Sequence, residues 1–321
     1  MKAGLLQYLV CPECRGQLEV AVRRESNGEI EAGSLRCVHD CATYEISRFV
    51  PRFVDTDRYA ESFSRQRRYV RQHFDHYRAD PSGDRLFVPT TGFDPAALRH
   101  GMALEVGCGY GRFLDVVERM GGTIVGVDLS TESINLAYDF VGRRPNVHLV
   151  QCDLFKLPFR RETFDHVFSI GVLHHTPDTR RAFEAIVPYA RPTGQIAIWI
   201  YHPRNKVSAN RWRVVTTRVP RGLLYGFCIA NQALFSWIRA LPGGTRFNAL
   251  VPGASPSRGA PFWMRVMNDF DNLSPTYAHV HTPDEVLRWY EAANLEDVRV
   301  LKRDTAVVGR KRALPPRTAS N

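Results

Sequence analysis

From Gly101 onward the apolar residues fall into short runs separated by segments of helical spacing. The runs Met102 to Val106, Thr123 to Asp128, Val147 to Gln151, Phe164 to Ile170 and Gln195 to Tyr201 are five to seven residues long and largely apolar. Strands buried on both faces have that pattern. Between them, Arg112 to Met120, Thr131 to Val141 and Thr179 to Ala190 return an apolar side chain every three or four positions, which predicts amphipathic helices. Strand and helix in alternation predict an α/β fold with a parallel sheet covered by helices on both faces. The alternation pauses over 202–281. It resumes with a helix to Ala293, announced by Thr282, Pro283, Asp284 and Glu285, and ends in two strands, Asp297 to Arg303 and Thr305 to Arg310.

Ahead of this region the periodicity changes. Residues 1–54 hold β-like runs, Gln17 to Arg23 and Thr43 to Val50, around four cysteines. In the linker 55–100, Tyr59, Phe63, Gln66, Val70, Phe74 and Tyr77 predict a basic amphipathic helix, which Asp80-Pro-Ser-Gly-Asp84 ends. The division expected is therefore a small domain at 1–54, the linker, a main domain at 101–312 with an insert at 202–281, and a disordered tail at 313–321.

The chain has 321 residues, 44% hydrophobic and 24% charged. That excludes collagen, coiled coil and wholesale disorder, and is long enough for about two domains. The net charge of +10 is unevenly placed: 185–268 contains no Asp or Glu, but eleven Lys and Arg. An anionic partner is expected. Seven cysteines, four of them before residue 42, do not suit a secreted disulfide framework. The apolar start runs straight into Cys11-Pro-Glu-Cys14 with no small-residue cleavage site, and the longest apolar run, Gly222 to Ala230, is about half of what spans a bilayer. A cytoplasmic protein is expected.

The chemistry begins after the first strand of the main domain. Glu105-Val-Gly-Cys-Gly-Tyr-Gly111 is a glycine-rich turn in which Gly107, Gly109 and Gly111 let the backbone approach a ligand. The spacing is not that of dinucleotide enzymes, and an acid precedes it. A carboxylate repels a pyrophosphate but suits an ammonium. Asp128, at the next strand end, is placed to accept from two ribose hydroxyls. Asp153, after the third strand, can accept from an adenine amine. Ammonium, ribose and adenine together describe S-adenosylmethionine (SAM).

With Leu104 to Phe113, Gly126 to Ser130, Cys152 to Leu154, Leu157-Pro-Phe159 and Phe164 to Asp178, the chain resembles the class I SAM-dependent methyltransferases over 101–201 and 282–312. The resemblance implies a Rossmann-like seven-stranded sheet with a reversed last strand. It places the methionine part of SAM by Glu105 and the glycine loop, the ribose on Asp128, and the adenine among Leu129, Asp153 and Leu154, with Ile170 and Gly171 lining the pocket.

Cys11-Pro-Glu-Cys14 and, 22 residues on, Cys37-Val-His-Asp-Cys41 supply two close pairs of thiolates, the donor set of a tetrahedral structural zinc. The segment resembles the zinc ribbons that precede some methyltransferases. The second pair is one residue wider than usual there, so the fourth ligand is Cys41, Asp40 or His39.

His174 and His175, at the fourth strand end, are candidates for a catalytic base, needed only if the acceptor is a hydroxyl or an acidic carbon. Tyr201, Tyr277, His279 and His281 are candidates for substrate contact. The insert is expected to cap the site, and the apolar face formed by Leu223, Leu224, Phe227, Leu234, Phe235, Trp237, Ile238 and Leu241 suits four roles: lining the pocket, pairing with a subunit, peripheral membrane contact, or plain packing. The expectation is an enzyme that methylates a small or carrier-linked anionic metabolite. The rival is a zinc-ribbon RNA methyltransferase, favoured by the basic charge. Against it, the basic stretch is interleaved with apolar residues, and the Asn/Asp-Pro-Pro-Tyr motif of base amino-methylating enzymes is absent after the fourth strand.

Overall fold

The computed structural model describes residues 1–54, 71, 82–241, 243, 261–303 and 305–313. Apart from residue 71, the expected linker helix and the tail beyond 313 lie outside the described residues. The strands are β1 Leu18–Ser26, β2 Glu29–Cys37, β3 Thr43–Ser47, β4 Val50–Arg52, β5 Met102–Val106, β6 Thr123–Asp128, β7 Val147–Gln151, β8 Phe164–Ile170, β9 Ala190–Trp199, β10 Leu295–Val300 and β11 Ala306–Lys311. The helices used below are α1 Ser82–Thr91, α2 Arg112–Arg119, α3 Thr131–Ala137, α4 Thr179–Ile186, α5 Pro203–Thr216, α6 Arg221–Ala240, α7 Phe262–Leu273 and α8 Pro283–Ala292.

All eleven strands join in one sheet, in the order β1-β2-β3-β4-β7-β6-β5-β8-β9-β11-β10. Strands β7, β6, β5, β8 and β9 are parallel, and β11 runs antiparallel between β9 and β10. The seven strands from β5 to β11 are the Rossmann-like sheet with a reversed last strand. The sheet is longer than seven because β4 pairs in parallel with β7 through Arg52 and Gln151, and the antiparallel strands β1 to β3 follow. An unpaired edge at β7 would leave backbone donors and acceptors unsatisfied.

The alternation of side chains along each strand divides the core into two layers. Leu104, Val106, Val125 and Val127 pack with Phe183 and Ile186 of α4, Val286 and Tyr290 of α8, and Leu5, Leu9 and Leu35 from the amino-terminal segment. Ala103, Ile124 and Phe168 face the other way, against Phe87 of α1, Phe113 and Val117 of α2, and Ile134 of α3. Local sequence sets the helix starts. Ser130 accepts from Ser133 N at 3.2 Å to cap α3. Thr282 and Glu285 form a reciprocal capping box on α8, with Pro283 in its first turn.

Among the described residues the insert after β9 folds as three helices with a small core of its own. Leu224 and Cys228 of α6 pack on Val266, Phe270 and Leu273 of α7. Arg213 and Thr216 of α5 donate to the carbonyls of Pro275 and Leu273 at 2.7 and 2.9 Å. No helix among the described residues is long and apolar enough to cross a membrane.

Candidate active site

The strand order reverses between β5 and β8, so their carboxyl ends leave a crevice where open α/β sheets bind ligands. The glycine loop fills its floor. Gly107 has φ +82°, and a Cβ there would stand 2.4 Å from Val172 Cγ1, so only glycine fits. Gly111, at φ +92°, turns the chain into α2. Asp128 holds the loop from β6: its Oδ2 accepts from Gly109 N and its Oδ1 from Ser130 N, both at 2.9 Å.

Glu105 is 2% exposed, and its Oε2 has no hydrogen-bond partner among the described residues. Burial raises its carboxyl well above the ordinary value; Arg112 opposes the shift and Asp128 adds to it. A buried acceptor left unpaired costs energy, and the ammonium of the methionine part of SAM is the partner its chemistry fits.

One cavity of about 350 Å³ begins at this loop. It is lined by Glu105, Gly107, Gly109, Ile170 and Gly171 of the loop and strand ends, by Trp199, Tyr201 and Arg303, and by Met264, Met267 and Asp271 of α7. Gly111, Asp128, Leu129, Asp153 and Leu154 do not line it. Asp128 reaches it through Gly109. Asp153 caps the short turn that follows it, its Oδ1 accepting from Phe155 N at 3.0 Å, and Leu129 accepts through its carbonyl from Gln151 Nε2 at 2.9 Å.

The two adjacent histidines differ in place. His174 is fully buried, with its ring centroid 3.7 Å from that of Tyr201, and does not line the cavity. His175 does. Its Nδ1 lies 2.8 Å from the carbonyl of Tyr277. A carbonyl only accepts, so Nδ1 carries a proton, and in the neutral imidazole the lone pair lies on Nε2. Tyr277, His279 and His281 are not cavity residues. Their backbone holds the site instead: His279 N donates to His174 O at 2.9 Å and His281 N to Tyr201 O at 3.0 Å.

Sequence reasoning missed Trp199, Met264, Met267, Asn268, Asp271 and Arg303. The Arg303 guanidinium lies 4.0 Å from the Trp199 ring centroid. Burial lowers its proton affinity, with the charge of Arg112 acting the same way and Tyr201 against it. Burial also raises the Tyr201 phenol, with Asp271 adding to the shift, so Tyr201 stays a neutral donor.

At the other end of the sheet the ligating atoms of Cys11, Cys14, Cys37 and Cys41 all lie within 4.8 Å of one another. The Cys11 to Cys41, Cys14 to Cys37 and Cys14 to Cys41 Sγ distances are 3.4, 3.3 and 3.3 Å. A zinc with four sulfurs at ~2.3 Å needs sulfurs about 3.8 Å apart, so the set fits a closed structural site with little adjustment. The structure takes Cys41 from the three alternatives for the fourth position. Asp40 pairs with Arg36 at 2.6 Å instead, and His39 Nδ1 lies 3.5 Å from Cys14 Sγ.

Residues 104–198, from β5 to β9, match the protein family described as "Methyltransferase domain". This segment is a SAM-dependent methyltransferase domain. The methyltransferase domain is similar to the Homo sapiens protein "Probable tRNA methyltransferase 9B", 34% identical over 105 residues, 32% of this chain and 22% of that protein. This chain thus spans about a fifth of that relative's length. It is also similar to "Methyltransferase GfsG" of Streptomyces halstedii, 29% identical over 205 residues, 60% of this chain and 69% of that protein. Among solved structures, human N-acetylserotonin methyltransferase in complex with SAM aligns with a TM-score of 0.44 at 16% identity, over 77% of this chain and 56% of that one.

Proposed function

We propose that the protein transfers a methyl group from SAM to a small or carrier-linked anionic acceptor held between Trp199, Tyr201 and α7. The observation that carries this reading is one cavity lined both by the glycine loop and by Trp199, Tyr201, Arg303 and α7. Bound SAM supplies an electrophilic methyl carbon, so the chain has mainly to align the acceptor and exclude water. Met264 and Met267 give the cavity an adaptable apolar lining. Arg303, its guanidinium 4.0 Å from the Trp199 ring centroid, offers a fork to a carboxylate or phosphate. For a hydroxyl or acidic-carbon acceptor, His175 Nε2 is the base, in the tautomer that Tyr277 O sets.

A second reading, RNA methylation, is supported by the tRNA methyltransferases among the relatives. Labelled SAM given to the protein with tRNA and rRNA, and separately with a low-mass metabolite fraction, separates the two. Label is expected in the metabolite fraction. Arg303→Ala should reduce it at least about tenfold, the loss of one charged hydrogen bond, without changing SAM affinity. Label at one nucleotide of RNA would replace the metabolite reading.

A further inference from the structure

The outermost helix of the cap, α6, buries one side only. Leu224, Cys228, Asn231 and Gln232 are buried against α7, and the two amides donate to Asp269 Oδ2 at 2.8 Å each. The opposite side presents Leu223, Phe227, Leu234 and Trp237, with Leu241 just beyond, at 68, 40, 60, 63 and 55% exposure. With exposed Ala230, these positions follow one another at steps of four and three residues, which on a helix makes a continuous ridge roughly 27 Å long. No charged residue occurs between Arg221 and Arg239. The ridge does not line the cavity, which α7 closes from inside.

The segment 185–268, which carries α6, has eleven Lys and Arg and no Asp or Glu. Arg211 and Arg218 are exposed beside Val214 and Val215, which are 62 and 57% exposed. Charge and apolar area together select the occupant. A second copy would set the same acid-free arginines against each other. A nucleic acid would answer the arginines and gain nothing from Leu223, Phe227, Leu234 and Trp237.

We infer that α6 rests on the surface of a bilayer containing anionic lipid. Its ridge sits at the acyl boundary and Trp237 at the interface, and the net positive charge of the acid-free segment favours anionic head groups. The contact lies on the membrane and does not cross it. This inference stands apart from the methyl-transfer reading, because its test needs no acceptor.

The full chain is sedimented with vesicles of phosphatidylcholine alone and with vesicles of equal parts phosphatidylcholine and phosphatidylglycerol. The anionic vesicles should carry down the protein at least about tenfold better at low salt, with a blue shift in tryptophan emission. The double variant Leu234→Ser, Trp237→Ser should lose that binding while still binding SAM, which shows that it is folded. Binding to neither vesicle, or equal binding by the variant, would overturn the inference. So would a dimer in sedimentation velocity that the variant abolishes, or RNA retention without vesicle binding.

Discussion

Burial raises the Glu105 carboxyl well above its ordinary value of 4.5, which favours its acid form in the protein without cofactor. The sign follows from the shift. Its contribution to stability is fully present below 4.5 and is lost as pH rises through the raised folded value. The ammonium of SAM favours the carboxylate, so binding should release up to about one proton as the carboxyl ionises, and affinity should rise with pH through the raised value. Calorimetry in two buffers of different ionisation enthalpy should therefore give different apparent heats, and Glu105→Gln should remove the difference. Equal heats for the parent protein would show that Glu105 is already ionised. Asp128 acts through geometry as well as charge. Asp128→Ala removes the acceptor of Gly109 N and Ser130 N together with its proposed ribose contact. Each such charged hydrogen bond is worth ~1.5–3 kcal/mol, so SAM affinity should fall by at least about tenfold. Unchanged titration of that variant would remove Asp128 from the site. These two residues were readable in the sequence because a close backbone approach demands glycine, and the strand ends beside it demand an acid. Arg303 and Trp199 were not, because their meeting depends on how the turn between β10 and β11 folds back over the end of β9.

Strand β4 ties the zinc-ribbon segment to the crevice. Arg52 donates to Gln151 Oε1 at 2.6 Å and to Asn135 Oδ1 at 2.9 Å. Gln151 in turn donates to Leu129 O and to Thr131 Oγ1, at 2.9 and 3.0 Å, beside the proposed ribose acid. Val10 N donates to Pro158 O at 2.9 Å, and Leu5, Leu9 and Cys37 share one buried layer with Val150, Leu157 and Phe159. Structural zinc contributes ~10–16 kcal/mol in small peptides. Its removal should therefore unfold the ribbon and also weaken SAM binding, since the edge of β7 loses its neighbour. Elemental analysis and calorimetry on chelator-treated protein test this. SAM affinity unchanged in metal-free protein would show that the two ends are uncoupled. Cys41→Ser should lose the metal; a normal zinc content would return the fourth ligand to Asp40 or His39. The cysteine pairs were legible by spacing alone. The join was not, because edge pairing uses backbone groups, which carry no side-chain pattern. Strand β2 escaped for a related reason: Gly33 and Ser34 break its apolar alternation, and its register is set by β1 and β3.

Across the whole molecule the alternation of strands and helices was readable because each strand is buried on both faces. A cap from the insert was expected, but not that α7 would wall the cavity, because α7 comes about sixty residues after Tyr201 and takes its place by packing on α6, whose outward ridge the sequence left among four roles. The basic insert bears on the choice between metabolite and RNA. If the arginines between 191 and 265 followed a polyanion, several phosphates would be neutralised together, and log affinity for single-stranded RNA would fall with log salt at ~0.7 per contact. The structure directs them differently. Arg213 is 8% exposed and donates to Pro275 O at 2.7 Å, and burial lowers its proton affinity to about 10. Arg191 pairs with Asp165, and Arg221 donates to Ser274 O. Arg191, Arg213 and Arg221 are thus engaged within the fold and are not offered together to a backbone. RNA binding should accordingly be weak and indifferent to sequence in a filter-binding titration, with the shallow salt slope of one or two phosphates. A slope corresponding to several phosphates, persisting in Leu234→Ser, Trp237→Ser, would instead show that the insert follows nucleic acid.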